Sequence, residues 1–146
     1  MIPLTAEYAL RAIVWLASHS EQTQTSEQIA TATQVPPRYL YKVLQSLAQA
    51  GLIHSQPGPR GGYSLAIPAD QICLLDVINT VAPIGRITSC PLNIESHSTE
   101  LCPLHHELDK AYQLIEKAFE KVTIAQIVNR TTSVTSFCEA IKRQTE

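Results

Sequence analysis

The chain has 146 residues, of which 45% are hydrophobic, and a formal net charge of −2. This is enough for one hydrophobic core, and the scattered prolines and glycines exclude collagen-like or low-complexity sequence. The near-neutral charge means that any DNA-binding surface must come from local clustering of basic residues. The N-terminal segment is not typical of a signal peptide or membrane span, so we expect a cytoplasmic protein with reduced cysteines.

The first half of the chain predicts three helices and a hairpin. Apolar residues at helical spacing predict a helix from Thr5 to Ser18 and a short one from Ser26 to Thr33. A third, amphipathic helix begins at the Pro36–Pro37 pair, and Gly51 fits the position just after its end. Two strands then flank a turn at 57–62. A helix-turn-helix followed directly by a hairpin is the order of a winged helix.

The second half predicts a helix over 71–81, a long amphipathic helix from His105 and a short helix over 124–128. The apolar stripe of the long helix consists of Leu108, Ala111, Tyr112, Ile115, Ala118, Phe119 and Val122. Either this helix folds back on its own domain or it pairs two chains, and a small domain favours the dimer.

We therefore expect a mainly α fold with a small β-hairpin. A winged helix-turn-helix DNA-binding domain should cover residues 1–82, and a sensor or ligand loop 83–104. The dimerisation helix and the short helix should cover 105–130, and a polar tail that can be disordered 131–146.

Candidate DNA contacts lie on the third helix outside its apolar stripe, at Arg38, Tyr39, Tyr41, Lys42 and Gln45. Arginine and glutamine can bond base edges in the major groove, whereas lysine and tyrosine hydroxyls suit phosphates. An ordinary solvated helix face is the alternative, but the wing that follows favours DNA binding.

The wing tip adds a second candidate surface. Arg60 beside Gly61 could enter a minor groove or contact phosphates, and Arg11 of the first helix could add a phosphate contact. From residue 28 to 69 the only charged side chains are Arg38, Lys42 and Arg60, so this part of the chain is basic.

Cysteine and histidine cluster before the long helix. Cys90 and Cys102 are separated by eleven residues, His105 follows three positions after Cys102, and His97 lies between the two cysteines. Thiolate and imidazole ligands suit zinc, iron or an iron–sulfur cluster. Two buried thiols with surface histidines are the alternative. The sequence contains no nucleophile elbow or phosphate loop, so we do not expect an enzyme.

The stretches "LTAEYALRAIVWLA", "YLYKVLQSLAQAGLI", "GPRGGYSLA" and "VTIAQIV", in this order, resemble the IscR/NsrR family of bacterial winged-helix transcription regulators. Members of that family sense redox state, iron–sulfur clusters or nitric oxide. The resemblance implies a homodimer, paired through the long helix, that binds a palindromic operator in double-stranded DNA as a repressor. It also implies an iron–sulfur cluster held by loop cysteines.

The ligands implied by the resemblance are only partly present. Cys90 and Cys102 match the first and last loop cysteines, but Ser96 replaces the middle one. His105 matches a further histidine ligand, and Glu7 matches an acidic ligand that some relatives take from the partner's first helix. With His97 as another candidate, a 2Fe–2S cluster is expected at this site. The alternatives are a zinc or iron ion, or a metal-free thiol switch at Cys90 and Cys102.

Overall fold

The computed structural model describes residues 2–92 and 100–130. Over these residues the chain forms six α-helices, one short 3-10 helix and a two-stranded antiparallel sheet. The elements in chain order are α1 (Leu4–Ser18), α2 (Ser26–Thr33), α3 (Pro37–Gln49), β1 (Ile53–Gln56), β2 (Gly62–Leu65), the 3-10 helix (Ala69–Gln71), α4 (Leu74–Val81), α5 (Pro103–Glu120) and α6 (Ile124–Val128). This order confirms the predicted mainly helical winged-helix fold.

The hydrophobic core surrounds α1, which contacts α2, α3, α4, α6 and β2. Ile13 and Leu16 of α1 are buried against side chains from the other helices, and Ile124 of α6 is fully buried in the same cluster. Burying each such side chain stabilises the fold by roughly 1.5–3 kcal/mol. The short helix at the end of the described chain is therefore part of the core formed by the first three helices.

Helix α3 has both of the end signals expected from the sequence. Pro37 occupies its first turn, where the missing N–H has no helical partner to lose. At the other end Gly51 has a φ of 75°, and its N–H donates to the carbonyl of Ala48 at 3.0 Å. The Leu52 N–H donates to the carbonyl of Leu47 at 3.0 Å, which completes a Schellman motif. The chain therefore leaves α3 directly into β1.

Three predicted helix starts were wrong. Helix α1 begins at Leu4 rather than Thr5, because Pro3 already has the extended conformation of an N-cap. Helix α4 begins at Leu74 rather than residue 71, because its preceding residues pair with the chain after α5. Helix α5 begins at Pro103, two residues before the predicted start at His105, because proline suits a first turn.

The pairing before α4 connects distant parts of the chain. The Leu74 N–H donates to the carbonyl of Val122 at 2.9 Å, and the Ile124 N–H donates to that of Ile72 at 2.8 Å. These bonds hold Ile72 and Cys73 in extended backbone, where a helix could not form. The segment that follows α5 thus returns to the DNA-binding half of the molecule.

Candidate DNA-binding surface and cysteine centre

Helix α3 exposes the five of its side chains that the sequence predicts as DNA contacts. Its buried positions are Leu40, Val43, Leu44 and Leu47, which pack in the core. The opposite face carries the exposed side chains Arg38, Tyr39, Tyr41, Lys42 and Gln45. An exposed basic and aromatic helix face after a short helix and a tight turn has the form of a recognition helix.

Arg38 has a defined position on this face. Its guanidinium lies over the ring of Tyr39, 4.7 Å from the ring centroid, and its Nη2 donates to the Tyr39 hydroxyl at 2.8 Å. The Tyr39 ring in turn lies 6.2 Å from that of Tyr8 on α1. The side chain predicted to read bases is therefore supported by an aromatic pair spanning two helices.

The tip of the wing is a tight turn. The Gly61 N–H donates to the carbonyl of Gly58 at 2.9 Å, which places the exposed Arg60 at the third position of a four-residue turn. A Cβ at Gly61 would lie 2.0 Å from the carbonyl oxygen of Gln56, so no other residue fits without moving the backbone. The glycines predicted at the tip thus allow the close backbone packing that presents Arg60.

Hydrogen bonds connect the wing to the helical core. In addition to its pairing with β1, Tyr63 of β2 exchanges two backbone hydrogen bonds with Gln24, at 2.9 and 2.8 Å. The Gln24 side chain is buried and accepts a hydrogen bond from Trp15 Nε1 at 3.2 Å. The wing is therefore positioned relative to α1 and α2 as well as α3.

Arg11 and Glu7 form an ion pair one turn apart on α1. Arg11 Nη1 also donates to the carbonyl of Thr33 at the end of α2, at 3.3 Å. About 28% of the Arg11 side chain and 51% of the Glu7 side chain are exposed. Both residues thus have partners within the chain, and their predicted roles with phosphate and with a metal centre stay predictions.

The cysteine region begins at the first turn of α5. Cys102 is the N-cap of α5, and its Sγ lies 3.2 Å from His105 Nδ1. Cys90 is buried, with 5% of its surface exposed. His97 and Ser96 lie outside the described residues. Among residues 2–92 and 100–130, no three His, Cys, Asp or Glu side chains converge in a way that could hold a metal ion. The structure thus brings together Cys102 and His105 of the predicted ligands.

Cys73 has a different environment from Cys102. Burial raises the pKa of its thiol, and the neighbouring Asp76 carboxylate raises it further. A raised pKa favours the neutral thiol, which is the less reactive form. Cys73 therefore has the character of a small apolar side chain rather than of a reactive thiol.

A further set of contacts was not predicted from the sequence. Arg86, in the segment between α4 and Cys90, donates to Asp109 Oδ1 from Nε at 2.7 Å and to Glu116 Oε2 from Nη1 at 3.2 Å. The guanidinium lowers the pKa of the Asp109 carboxyl to about 2, with help from the Ile87 N–H. The two carboxylates raise the pKa of Arg86 in return. Residues 86 and 109 are too far apart in sequence for spacing to reveal the pair.

Together, the winged helix, the exposed recognition helix and the arginine at the wing tip define the DNA-binding class of transcription regulators. The profile of the Rrf2 family, described as iron-dependent transcriptional regulators, matches residues 4–130, and the chain belongs to this family. This match confirms the resemblance to bacterial winged-helix transcription regulators seen in the sequence. The chain is a transcription regulator rather than an enzyme.

Individual relatives agree with this assignment. A protein of Aquifex aeolicus assigned as an HTH-type transcriptional regulator is 30% identical over 128 residues, covering 86% of this chain and 89% of its own. The structure of T. potens IscR superposes with a TM-score of 0.75 at 22% identity, covering 93% of each chain. The oxidised form of Staphylococcus aureus CymR gives 0.72 at 24% identity, covering 91% of this chain and 99% of its own. These two structural likenesses establish the fold.

No helix in the described part of the chain is long and apolar enough to span a membrane.

Proposed function

We propose that this chain is a homodimeric repressor that binds a palindromic operator through α3 and the wing, and that a metal or iron–sulfur centre at Cys90 and Cys102 sets its operator affinity. The observation that supports the sensing role is the contact of Cys102 Sγ with His105 Nδ1 at 3.2 Å. It puts a soft sulfur donor and an imidazole nitrogen side by side at the start of α5.

The donor chemistry fits such a centre in part. Thiolate and imidazole are the ligands that zinc, iron and 2Fe–2S clusters take. Cys102 and His105 would hold the centre from α5, and Cys90 from the preceding segment. His97, or Glu7 from a second chain, would complete the ligand set. When bound, the centre supplies a charge and coordination that respond to redox conditions or metal supply.

Recruiting Glu7 would require a change within the chain. Its carboxylate pairs with Arg11, so it could become a ligand only if that pair opened. The same arginine bonds the end of α2, the first helix of the helix-turn-helix. A centre that draws Glu7 away would therefore change the contacts between α1 and α2, and ligand binding would favour one geometry of the two recognition helices.

The test is metal and sulfide analysis of protein purified without oxygen. The expected result is a stoichiometric metal, with visible absorption and sulfide if it is a cluster, that is lost in Cys102→Ala and reduced in His105→Ala. Cys73→Ala is the matched control and should retain the metal. Wild-type protein that contains no metal under these conditions would overturn the metal centre.

A metal-free thiol switch is the second candidate, and the same Cys102–His105 contact favours it. His105 can accept the proton that the Cys102 sulfur loses when an oxidant attacks it. Peroxide would oxidise the Cys102 thiolate to sulfenic acid and release hydroxide, and the Cys90 thiol would then displace water to form a disulfide. In metal-free protein, peroxide should abolish operator binding and dithiothreitol should restore it. Unchanged binding after full oxidation of Cys102 would exclude this switch.

A further inference from the structure

The segment before Cys90 is attached to α5 by three side chains, which we call the Arg86 clamp: Arg86, Asp109 and Glu116. Arg86 reaches both oxygens of Asp109 and one of Glu116. The Ile87 N–H also donates to Asp109 Oδ1, at 2.9 Å. One carboxylate thus binds the backbone and the side chain of the same loop, which fixes the loop in position and in orientation.

The clamp is unlike an ordinary surface ion pair. Its side chains are 32%, 17% and 23% exposed for Arg86, Asp109 and Glu116 respectively. The exposed pair on the same helix, Lys110 with Glu107, has its charged atoms 3.7 Å apart and side chains 60% and 67% exposed. Bidentate arginine–carboxylate contacts are stronger and more directional than single exposed pairs. The clamp is therefore suited to a positioning role.

The positions of the clamp residues match those of the candidate ligands. On α5, Asp109 lies four residues after His105 and seven after Cys102, spacings that place all three on one helix face. In the loop, Arg86 lies four residues before the buried Cys90. The bond between Arg86 and Asp109 thus attaches the segment that leads to Cys90 to the helix that carries Cys102 and His105.

We propose that the Arg86 clamp positions Cys90 for the centre formed with Cys102 and His105, so that Arg86 and Asp109 are positioning residues of the sensor. This inference rests on the proposed sensing function and adds to it the residues that attach the segment before Cys90 to α5. A ligand whose chain segment is attached to the neighbouring helix loses less conformational freedom when the site closes around a metal.

The first measurement tests the attachment of the loop by amide hydrogen exchange at Ile87. In Asp109→Asn and Arg86→Gln the exchange should become at least about tenfold faster, because the bonds that hold the loop are lost or weakened. Glu107→Gln is the matched control, since it removes a carboxylate two residues from Asp109 whose ion-pair partners, His106 and Lys110, both lie on α5. Equal exchange in wild type and both clamp variants would overturn the proposal.

The second measurement tests the positioning of Cys90 without any metal. In a Cys73→Ser, Cys138→Ser background only Cys90 and Cys102 remain, and diamide converts the two thiols to a disulfide while being reduced to its hydrazine. Without the clamp this reaction should be about tenfold slower, because the segment before Cys90 is no longer attached to α5 and Cys90 samples positions farther from Cys102. Arg86→Lys, which keeps the charge but not the two-pronged contact, should give an intermediate rate.

The outcomes separate this inference from the proposed function. Fast Ile87 exchange with an unchanged disulfide rate would mean that the clamp holds the loop but does not position Cys90, which overturns the proposal. Faster Ile87 exchange together with slower disulfide formation in the clamp variants supports the proposal, even if the wild-type protein contains no metal and its operator binding is unaffected by oxidants. That last result would instead overturn the sensing function.

Discussion

Tyr39 can either contact DNA directly or position Arg38, and the sequence alone does not distinguish these two roles. Its hydroxyl was expected to contact a phosphate, but in the structure it accepts a hydrogen bond from Arg38 and its ring supports the guanidinium. Tyr8 of α1 packs beside the same ring. This arrangement limits the conformations of Arg38 before DNA binds, which lowers the entropy lost when it contacts a base.

Tyr39→Phe removes the hydroxyl but keeps the ring, and should weaken operator binding by about 0.5–1.5 kcal/mol, the usual net value of one hydrogen bond. If Tyr39 acts through Arg38, the same substitution should have almost no effect in an Arg38→Ala background. Binding titrations of the four proteins of this double-mutant cycle measure the coupling. Additive losses would show that the hydroxyl contacts DNA independently.

Arg38 and Arg60 should differ in what they contribute to DNA binding. Arg38→Ala should reduce selection of the operator over other sequences by about 1–3 kcal/mol, as expected for a base contact. Arg60→Ala should weaken binding to all sequences similarly and make its salt dependence shallower. Titrations with operator and non-operator duplexes at several salt concentrations test this. Negligible effects of both substitutions would contradict the placement of DNA on this face.

Asp109 makes the Arg86 clamp resistant to acid. The Arg86 guanidinium, with help from the Ile87 N–H, lowers its pKa to about 2, and Glu116 shares the same guanidinium. A lowered pKa in the folded protein means that the stabilisation is complete above the ordinary value of 3.8 and is lost as the pH falls through 2. The NMR shift of the Ile87 amide should therefore be constant from pH 7 to about 4 and change below it. A change centred near pH 4 would contradict this.

Among the elements, the turn of the wing has a glycine whose replacement must deform it. Gly61→Ala would place a methyl group against the carbonyl oxygen of Gln56, so the turn must deform, at about 1–3 kcal/mol. Operator binding should fall with it, because the turn presents Arg60. Gly85→Ala is the control, since no atom lies within 4 Å of its added Cβ. Thermal unfolding and operator titration measure both effects, and equal behaviour of the two variants would contradict this account.

The elements that sequence reasoning found are those specified locally. The buried stripe of α3, its proline start and Gly51 all lie within a few residues of each other, so periodicity and end signals identified the helix. The start of α4 was misplaced because the bonds of Leu74 and Ile124 join segments about fifty residues apart. The ion pairs of Arg86 could not be predicted for the same reason, because its carboxylate partners lie 23 and 30 residues away in the sequence.

At the scale of the whole molecule, α5 leaves its apolar stripe uncovered. The residues that face the chain's own loop are polar, including Asp109 and Glu116, whereas the apolar side chains point elsewhere. None of the residues of α5 is buried, and its exposed apolar residues are Leu104, Leu108, Ala111, Tyr112, Leu114, Ile115 and Ala118. The interpretation that α5 folds back to cover its stripe therefore does not hold within the described chain, and the dimer interpretation remains the proposal.

Ile115→Glu should convert the dimer to monomer, because it places a charge in the middle of the apolar stripe. Lys117→Glu is the control, since it introduces the same residue on the opposite side of the helix. Sedimentation equilibrium should detect the difference at micromolar protein. A dimer that persists in Ile115→Glu would exclude α5 as its interface.

The return of the chain after α5 has a mechanical consequence. The Val122 and Ile124 bonds to Leu74 and Ile72 anchor the far end of α5, and Arg86 anchors its near half. An 18-residue helix is about 27 Å long, and because α5 is held at two points we expect it to rotate as a rigid body together with the domain to which it is attached. In a dimer, tilting one α5 against the other would change the distance between the two DNA-binding domains and hence between their recognition helices. Operators whose half-sites lie about 34 Å apart would then accept one opening angle and reject the others.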